Sequence, residues 1–268
     1  MKKRVFALTL ALLLVLALAA CAGKEEAKTI KVGATPAPHA EILEVTKELL
    51  AEEGYTLEIV EFDDYIMPNT AVEEGELDAN YFQHITYMNT FNADNGTHLV
   101  SAAAIHYEPF GLYAGKTASL DDLADGAQIA IPNDATNGGR ALLLLQEQGL
   151  ITLAEDSGLE PTVQDIVDNP KNLEIVELEA RLLPTTLEDV DMAVINGNYA
   201  IDANLKIADA LAVEANDGTA AEAYANVVAV KEGNENSEAI QALVKALESE
   251  EVRAFIEETY QGAVMPLF

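Results

Sequence analysis

QIAIPNDATNGGRALLLLQEQ, residues 128–148, is the stretch whose reading decides the fold. Gln128 to Pro132 is a short apolar run that reads as a buried strand. From about Thr136 to Gln148 the apolar residues suit a helix. A polar turn, Asn133 to Ala135, joins the two. A strand feeding directly into a helix is the repeating unit of α/β proteins.

The same alternation extends to both sides. Strands are expected at Thr29–Ala34, Tyr55–Phe62, Leu77–Phe82, Leu173–Leu178, Asp191–Ile195 and Ala225–Val230, with one or two more in 98–114, broken near Glu108-Pro109. Helices are expected at Pro38–Ala51, Met67–Glu76, Glu238–Leu247 and Glu250–Tyr260. The expected class is therefore α/β, with two mixed, largely parallel sheets flanked by helices and a ligand cleft between lobes. The length suits two such units, and no low-complexity linker separates them. Shared crossing strands are expected near Tyr113–Lys116 and Tyr224–Val230. That gives lobe I as 29–113 plus 227–268 and lobe II as 114–226. Two lobes can close on a small molecule by hinge motion.

The start of the chain points outside the cytoplasm. Lys2, Lys3 and Arg4 precede an apolar run from Val5 to Ala20, which reads as a signal peptide over 1–20. Leu18-Ala19-Ala20-Cys21 looks like a bacterial lipobox, in which the cysteine carries lipid (palmitate among its acyl chains) and anchors the protein to a membrane. An ordinary signal peptide with an incidental cysteine, or a signal anchor, is the alternative. Residues 21–28 read as a flexible tether. Cys21 is the only cysteine in 268 residues, so no disulfide or cysteine metal site is expected.

Composition narrows the function. The net charge is −31, from 46 acidic and 15 basic residues. Such a surface argues against nucleic acid as a partner. No nucleophile elbow, metalloprotease motif or phosphate loop is present, so no enzyme and no cofactor is expected. The four histidines, His39, His84, His98 and His106, match no usual ligand spacing, and no metal is expected.

Four polar clusters at strand ends remain. Asn133 to Arg140 opens a helix, where free N–H groups favour anions. Arg140 falls in the first turn, on the wrong side of the helix dipole. It is either a forked partner for a carboxylate or a surface arginine beside a capping turn. Asn196-Gly197-Asn198 follows an apolar strand and suits a zwitterion, although a plain Asn-Gly turn fits the pattern better. Asp78 to His84, with Tyr65 and Tyr87 nearby, suits a pocket wall. One of Tyr81 and Phe82 must face the core, because strand neighbours alternate. Asn226 sits where a strand returns to the first lobe; it could touch ligand or satisfy backbone groups.

These clusters resemble the methionine-binding lipoproteins of bacterial ABC uptake systems. The likeness runs through VGATPAPHAEILE (32–44), YIMPNTAVEEGELDANYFQH (65–84), YEPFGLYAGK (107–116), IPNDATNGGRALLLLQEQGL (131–150), DNPKNLEIVELEA (168–180), VDMAVINGNYA (190–200), YANVVAV (224–230) and YQGAVMPLF (260–268). Departures are Gly138 and Phe110, neither expected to touch ligand directly. The resemblance implies a two-lobed periplasmic-binding-protein fold of type II with methionine, or a close relative, in the cleft. It implies that Arg140 holds the ligand carboxylate and that Asn198 and Asn226 take its amino and carboxylate groups. Tyr65, Phe82, His84, Tyr81, Tyr87 and His106 would wall the thioether. The implied partners are L-methionine, an ABC permease with its ATPase, and the membrane through Cys21. A receptor for D-methionine, a methionine derivative or a small dipeptide is the alternative, ahead of a metal receptor.

Overall fold

The structure, a computed structural model, describes residues 28–215 and 219–268. The expected signal peptide, Cys21 and all of the tether but Lys28 lie outside the described residues. The strands are β1 (Lys28–Ala34), β2 (Tyr55–Glu61), β3 (Ala79–His84), β4 (Leu99–Tyr107), β5 (Gly111–Ala114), β6 (Gln128–Pro132), β7 (Thr152–Leu153), β8 (Ile166–Asp168), β9 (Glu174–Leu178), β10 (Met192–Ile195), β11 (Ala212–Val213), β12 (Ala225–Lys231) and β13 (Met265–Pro266).

They form two main sheets. One has the order β13-β4-β12-β3-β1-β2, the other β11-β5-β10-β6-β9. Both sheets are mixed. Parallel pairing joins β2, β1 and β3, and likewise β9, β6 and β10. The remaining pairs, made by β4, β5, β11, β12 and β13, are antiparallel. Parallel pairing is thus confined to the strand–helix–strand parts and is less extensive than expected.

Each sheet owns a core. Against the first pack helices Glu41–Glu52, Glu238–Leu247 and Glu250–Tyr260, burying Ile42, Leu43, Leu50, Ile240, Leu243, Leu247, Val252 and Ile256. Full burial of one such side chain contributes about 2 kcal/mol. Ser237 and Ser249 cap the last two helices, accepting from the backbone N–H groups of Ile240 and Val252. Against the second sheet packs helix Ala135–Glu147, through Ala141, Leu142, Leu144 and Leu145.

The chain changes sheet between Tyr107 and Gly111, and again between Val213 and Ala225. Both changes come before the expected positions. Pro109 explains the first: it cannot donate to a ladder, so β4 ends and β5 starts in the other sheet. Tyr113, expected at a crossing, lies inside β5 and pairs with Ala193 of β10. Residues 85–95, for which no helix is expected, form helix Ile85–Asn95. His84 caps it, its Nδ1 accepting from the Tyr87 N–H at 3.0 Å.

Candidate functional site

The C-terminal ends of β3, β6 and β10 and the segment after β4 meet between the two sheets, where ligands of open α/β sheets bind. There the pocket is lined by Tyr65, Phe82, Gln83, His84, Tyr87, Glu108, Phe110, Asn137, Arg140, Asn196, Gly197, Asn198 and Asn226. Its empty volume is ≈ 330 Å³, open solvent at the mouth included. That lies at the small end of ligand pockets.

Arg140 occupies the second turn of helix Ala135–Glu147, further in than expected, and is 3% exposed. Its guanidinium lies between the rings of Phe110 and Tyr224, each centroid 4.1 Å from Cζ. Nε donates to Glu214 Oε1 at 2.8 Å; Nη2 donates to Glu214 Oε2 at 2.5 Å and to the Glu108 carbonyl at 2.7 Å. The forked pair expected for a ligand carboxylate is thus made with Glu214. Nη1 has no hydrogen-bond partner among the described residues. Burial alone would lower the Arg140 pKa; Glu214 overrides that and raises it, so the charge is secure. Phe110 was expected to stand clear of ligand contacts; instead it stacks on the guanidinium and lines the pocket.

Next to Arg140 a directed chain of polar groups crosses between the sheets. The Asp134 carboxylate accepts from Asn137 Nδ2 at 2.9 and 3.1 Å. Asn137 Oδ1 therefore faces the other way and accepts from His84 Nε2 at 3.1 Å and Asn196 Nδ2 at 2.9 Å. His84 is neutral: burial first, then Arg140, pushes its pKa down to about 3. At the end of the chain Asn196 Oδ1 is buried without a partner among the described residues.

A second network lies behind the pocket. His106 Nε2 donates to Glu108 Oε1 at 2.7 Å, while its Nδ1 accepts from the Tyr81 hydroxyl. His39 Nε2 donates to Asn226 Oδ1 at 3.1 Å and lies 3.3 Å from Glu108 Oε1. The Thr35 hydroxyl donates to His39 Nδ1 at 2.7 Å. Burial lowers His39 to about 4, with Glu108 opposing, and His106 to about 3. Burial raises the Glu108 carboxyl, against His39 and Arg140. His39, His106 and Glu108 bring ligand-type atoms within 4.8 Å of one another, a meeting their spacing did not announce. Both nitrogens facing Glu108 carry protons, however, because both Nδ1 atoms are occupied by hydroxyl donors. As bonded, the two imidazoles turn N–H groups toward Glu108, so the group is a hydrogen-bond network.

Seven of the expected residues line the pocket: Tyr65, Phe82, His84, Tyr87, Arg140, Asn198 and Asn226. Tyr81 and His106 do not. Tyr81 is the strand neighbour that faces the core, and His106 stands behind Glu108. Tyr65 anchors the wall, donating to Asn198 Oδ1 at 2.5 Å and packing on Phe82, Tyr87 and Tyr199. Sequence reasoning missed Glu108 and Glu214. Glu108 carried one signal, an acidic residue at a break between two apolar strands. Glu214 carried none among 46 acidic residues.

Against this geometry, the family model of the NlpA lipoprotein matches residues 30–268. The chain belongs to the NlpA lipoprotein family. Within that family, the D-methionine-binding lipoprotein MetQ of Salmonella typhimurium is 42% identical, covering 98% of this chain and 98% of the relative. A nutrient-binding protein of Burkholderia cenocepacia, solved bound to methionine, is 43% identical with a TM-score of 0.85, over 89% of this chain and 100% of that one. The substrate-binding protein of a methionine transporter from Streptococcus pneumoniae is 36% identical with a TM-score of 0.84, over 90% of this chain and 96% of that one. These NlpA relatives share the two-lobed fold, so the two sheets here are its two lobes.

Proposed function

We propose that this chain is the substrate-binding lipoprotein of an ABC importer, capturing L-methionine outside the cytoplasmic membrane and delivering it to the permease and its ATPase. The observation that carries the reading is a buried, permanently charged guanidinium facing an aromatic wall across a small pocket between two lobes. Arg140 offers Nη1 to a carboxylate, and Asn198 and Asn226, whose Oδ1 atoms are engaged by Tyr65 and His39, offer their Nδ2 groups. Tyr65, Phe82 and Tyr87 suit a soft thioether, since sulfur–aromatic contacts are favourable. Tyr81 and His106 support this wall from behind. The relatives solved with methionine or named for its transport support methionine as the ligand.

Calorimetry with L-methionine tests the reading. Tight one-to-one binding is expected, and Arg140→Ala should weaken it by about 2–5 kcal/mol, as for truncation of a buried charge partner. Unchanged affinity in that variant would sink the role of Arg140. D-methionine belongs in the same titrations, because the Salmonella relative is named for it. The hinge of closure includes the segment between Tyr107 and Gly111, where the chain changes sheet. The anchor is lipid on Cys21: Cys21→Ser should release the protein from membranes and leave methionine binding intact.

A further inference from the structure

We propose that the Tyr199 and Thr90 hydroxyls are latches that hold the two lobes closed and set how long a bound ligand stays; this rests on the reading of the pocket as a methionine site between hinged lobes. Two hydrogen bonds join the lobes outside the pocket. The Tyr199 hydroxyl, from helix Gly197–Asp202 of the second lobe, donates to the Asp63 carbonyl of the first at 2.9 Å. The Thr90 hydroxyl, from helix Ile85–Asn95 of the first lobe, donates to Glu160 Oε1 of the second at 2.8 Å. None of these four residues lines the pocket. Neither bond touches the ligand, and each forms only when the lobes meet.

Both bonds lie along the seam between the lobes, on either side of the aromatic wall. One groove on that seam holds Asp63 and Tyr199, and a second holds Thr90. A third groove shares Tyr199 with the first and Ile66, Tyr87 and Asp134 with the second, so it lies between them. Tyr65 and Tyr87 line both this middle groove and the pocket. Opening the lobes to release a ligand parts the seam and breaks both bonds.

Each latch is set by an element that also builds the pocket. Tyr199 follows Asn198, and its ring stacks on Tyr65 with centroids 5.0 Å apart, which aims the hydroxyl at Asp63. Asp64 fixes the facing turn, its carboxylate accepting from the Ile66 and Met67 N–H groups at 2.7 and 2.8 Å. Thr90 lies three residues after Tyr87, hence on the same face of its helix. Glu160 is seated beside Arg140. A Cβ built on Gly139 would meet Glu160 Cα at 2.7 Å, so only glycine admits this approach. A ligand that draws Tyr87, Arg140 and Asn198 together thus brings both latches into register. Ligand contacts and latches act on one equilibrium, between open and closed lobes.

The test is the rate at which radiolabelled L-methionine leaves the purified full-length protein in excess unlabelled ligand, with calorimetry for the dissociation constant. Tyr199→Phe keeps the stack on Tyr65 and loses only the hydroxyl. Thr90→Val keeps the shape of the side chain and loses only the hydroxyl. Each should speed dissociation about 2- to 10-fold, the net worth of one hydrogen bond. The two bonds share no partner, so the double variant should multiply the two factors. The association rate, from the ratio of the two measurements, should stay within about 2-fold, because ligand enters open lobes in which neither latch is made. Glu160→Gln keeps an acceptor for Thr90 and should behave as wild type, whereas Glu160→Ala should match Thr90→Val. Dissociation at the wild-type rate in either hydroxyl variant overturns the latch at that residue. A loss carried entirely by the association rate overturns both. So does an equal fall in melting temperature with and without methionine, which would make the bonds part of the fold and not of closure. Wild-type protein that does not bind L-methionine brings down the methionine reading itself, a result distinct from these.

Discussion

At the residue scale, Arg140 is the centre of the pocket, and its environment holds a surprise. A buried guanidinium needs a counter-charge, and Glu214 supplies it through two hydrogen bonds. Phe110 and Tyr224 cover both faces. The ligand therefore meets an arginine that is already neutralised and aligned, and contributes at its remaining edge. Breaking such a pair leaves one charge buried alone, which costs about 3–5 kcal/mol. Glu214→Gln should lower the melting temperature of the ligand-free protein accordingly. L-methionine, bringing a carboxylate of its own, should then raise the melting temperature more in the variant than in the wild type. An unchanged melting temperature without ligand would mean that the pair contributes nothing to the fold.

At the element scale, the strands and helices with a clear period were legible, and the site residues on them largely so. Helices Glu238–Leu247 and Glu250–Tyr260 match their expected ranges because an apolar face and a serine cap agree. Helix Ile85–Asn95 was not legible. Its buried residues, Tyr87, Met88 and Phe91, form a short stripe among asparagines and β-branched residues, and its cap is a histidine. Asn196-Gly197-Asn198, which reads best as a turn, instead opens helix Gly197–Asp202 and delivers Asn196 and Asn198 to the pocket. The break at Glu108-Pro109 was visible, yet the change of sheet was placed some residues late. Pairing partners decide that position, and Gly111–Ala114 pairs with β10 from far along the chain. Glu214 and the network around Glu108 were hidden for the same reason, since both depend on residues distant in sequence.

At the scale of the whole molecule, the pocket is also a buried store of neutral histidines, and this couples stability to pH. Burial holds His39 at about 4 and His84 and His106 at about 3, against 6.5 for an ordinary histidine. The unfolded chain therefore takes up protons first. Their contribution to stability is complete above 6.5 and is lost as pH falls toward 3–4. Charged groups face them from both lobes: Glu108 against His39 and His106, and Arg140 against His84. Glu108 and Asp134 have raised pKa values in the fold, so they bind protons there and offset part of the loss as pH approaches those values. Between about pH 7.5 and about pH 5.5 each buried histidine should cost about 1 kcal/mol. Urea unfolding at these two pH values should show a lower midpoint at the acidic one, with net proton uptake on unfolding. His84→Gln, which keeps an amide donor toward Asn137, should flatten the dependence. A midpoint that stays level across this window would show that the histidines titrate alike in the folded and unfolded chain, and that the network around Glu108 is open to water.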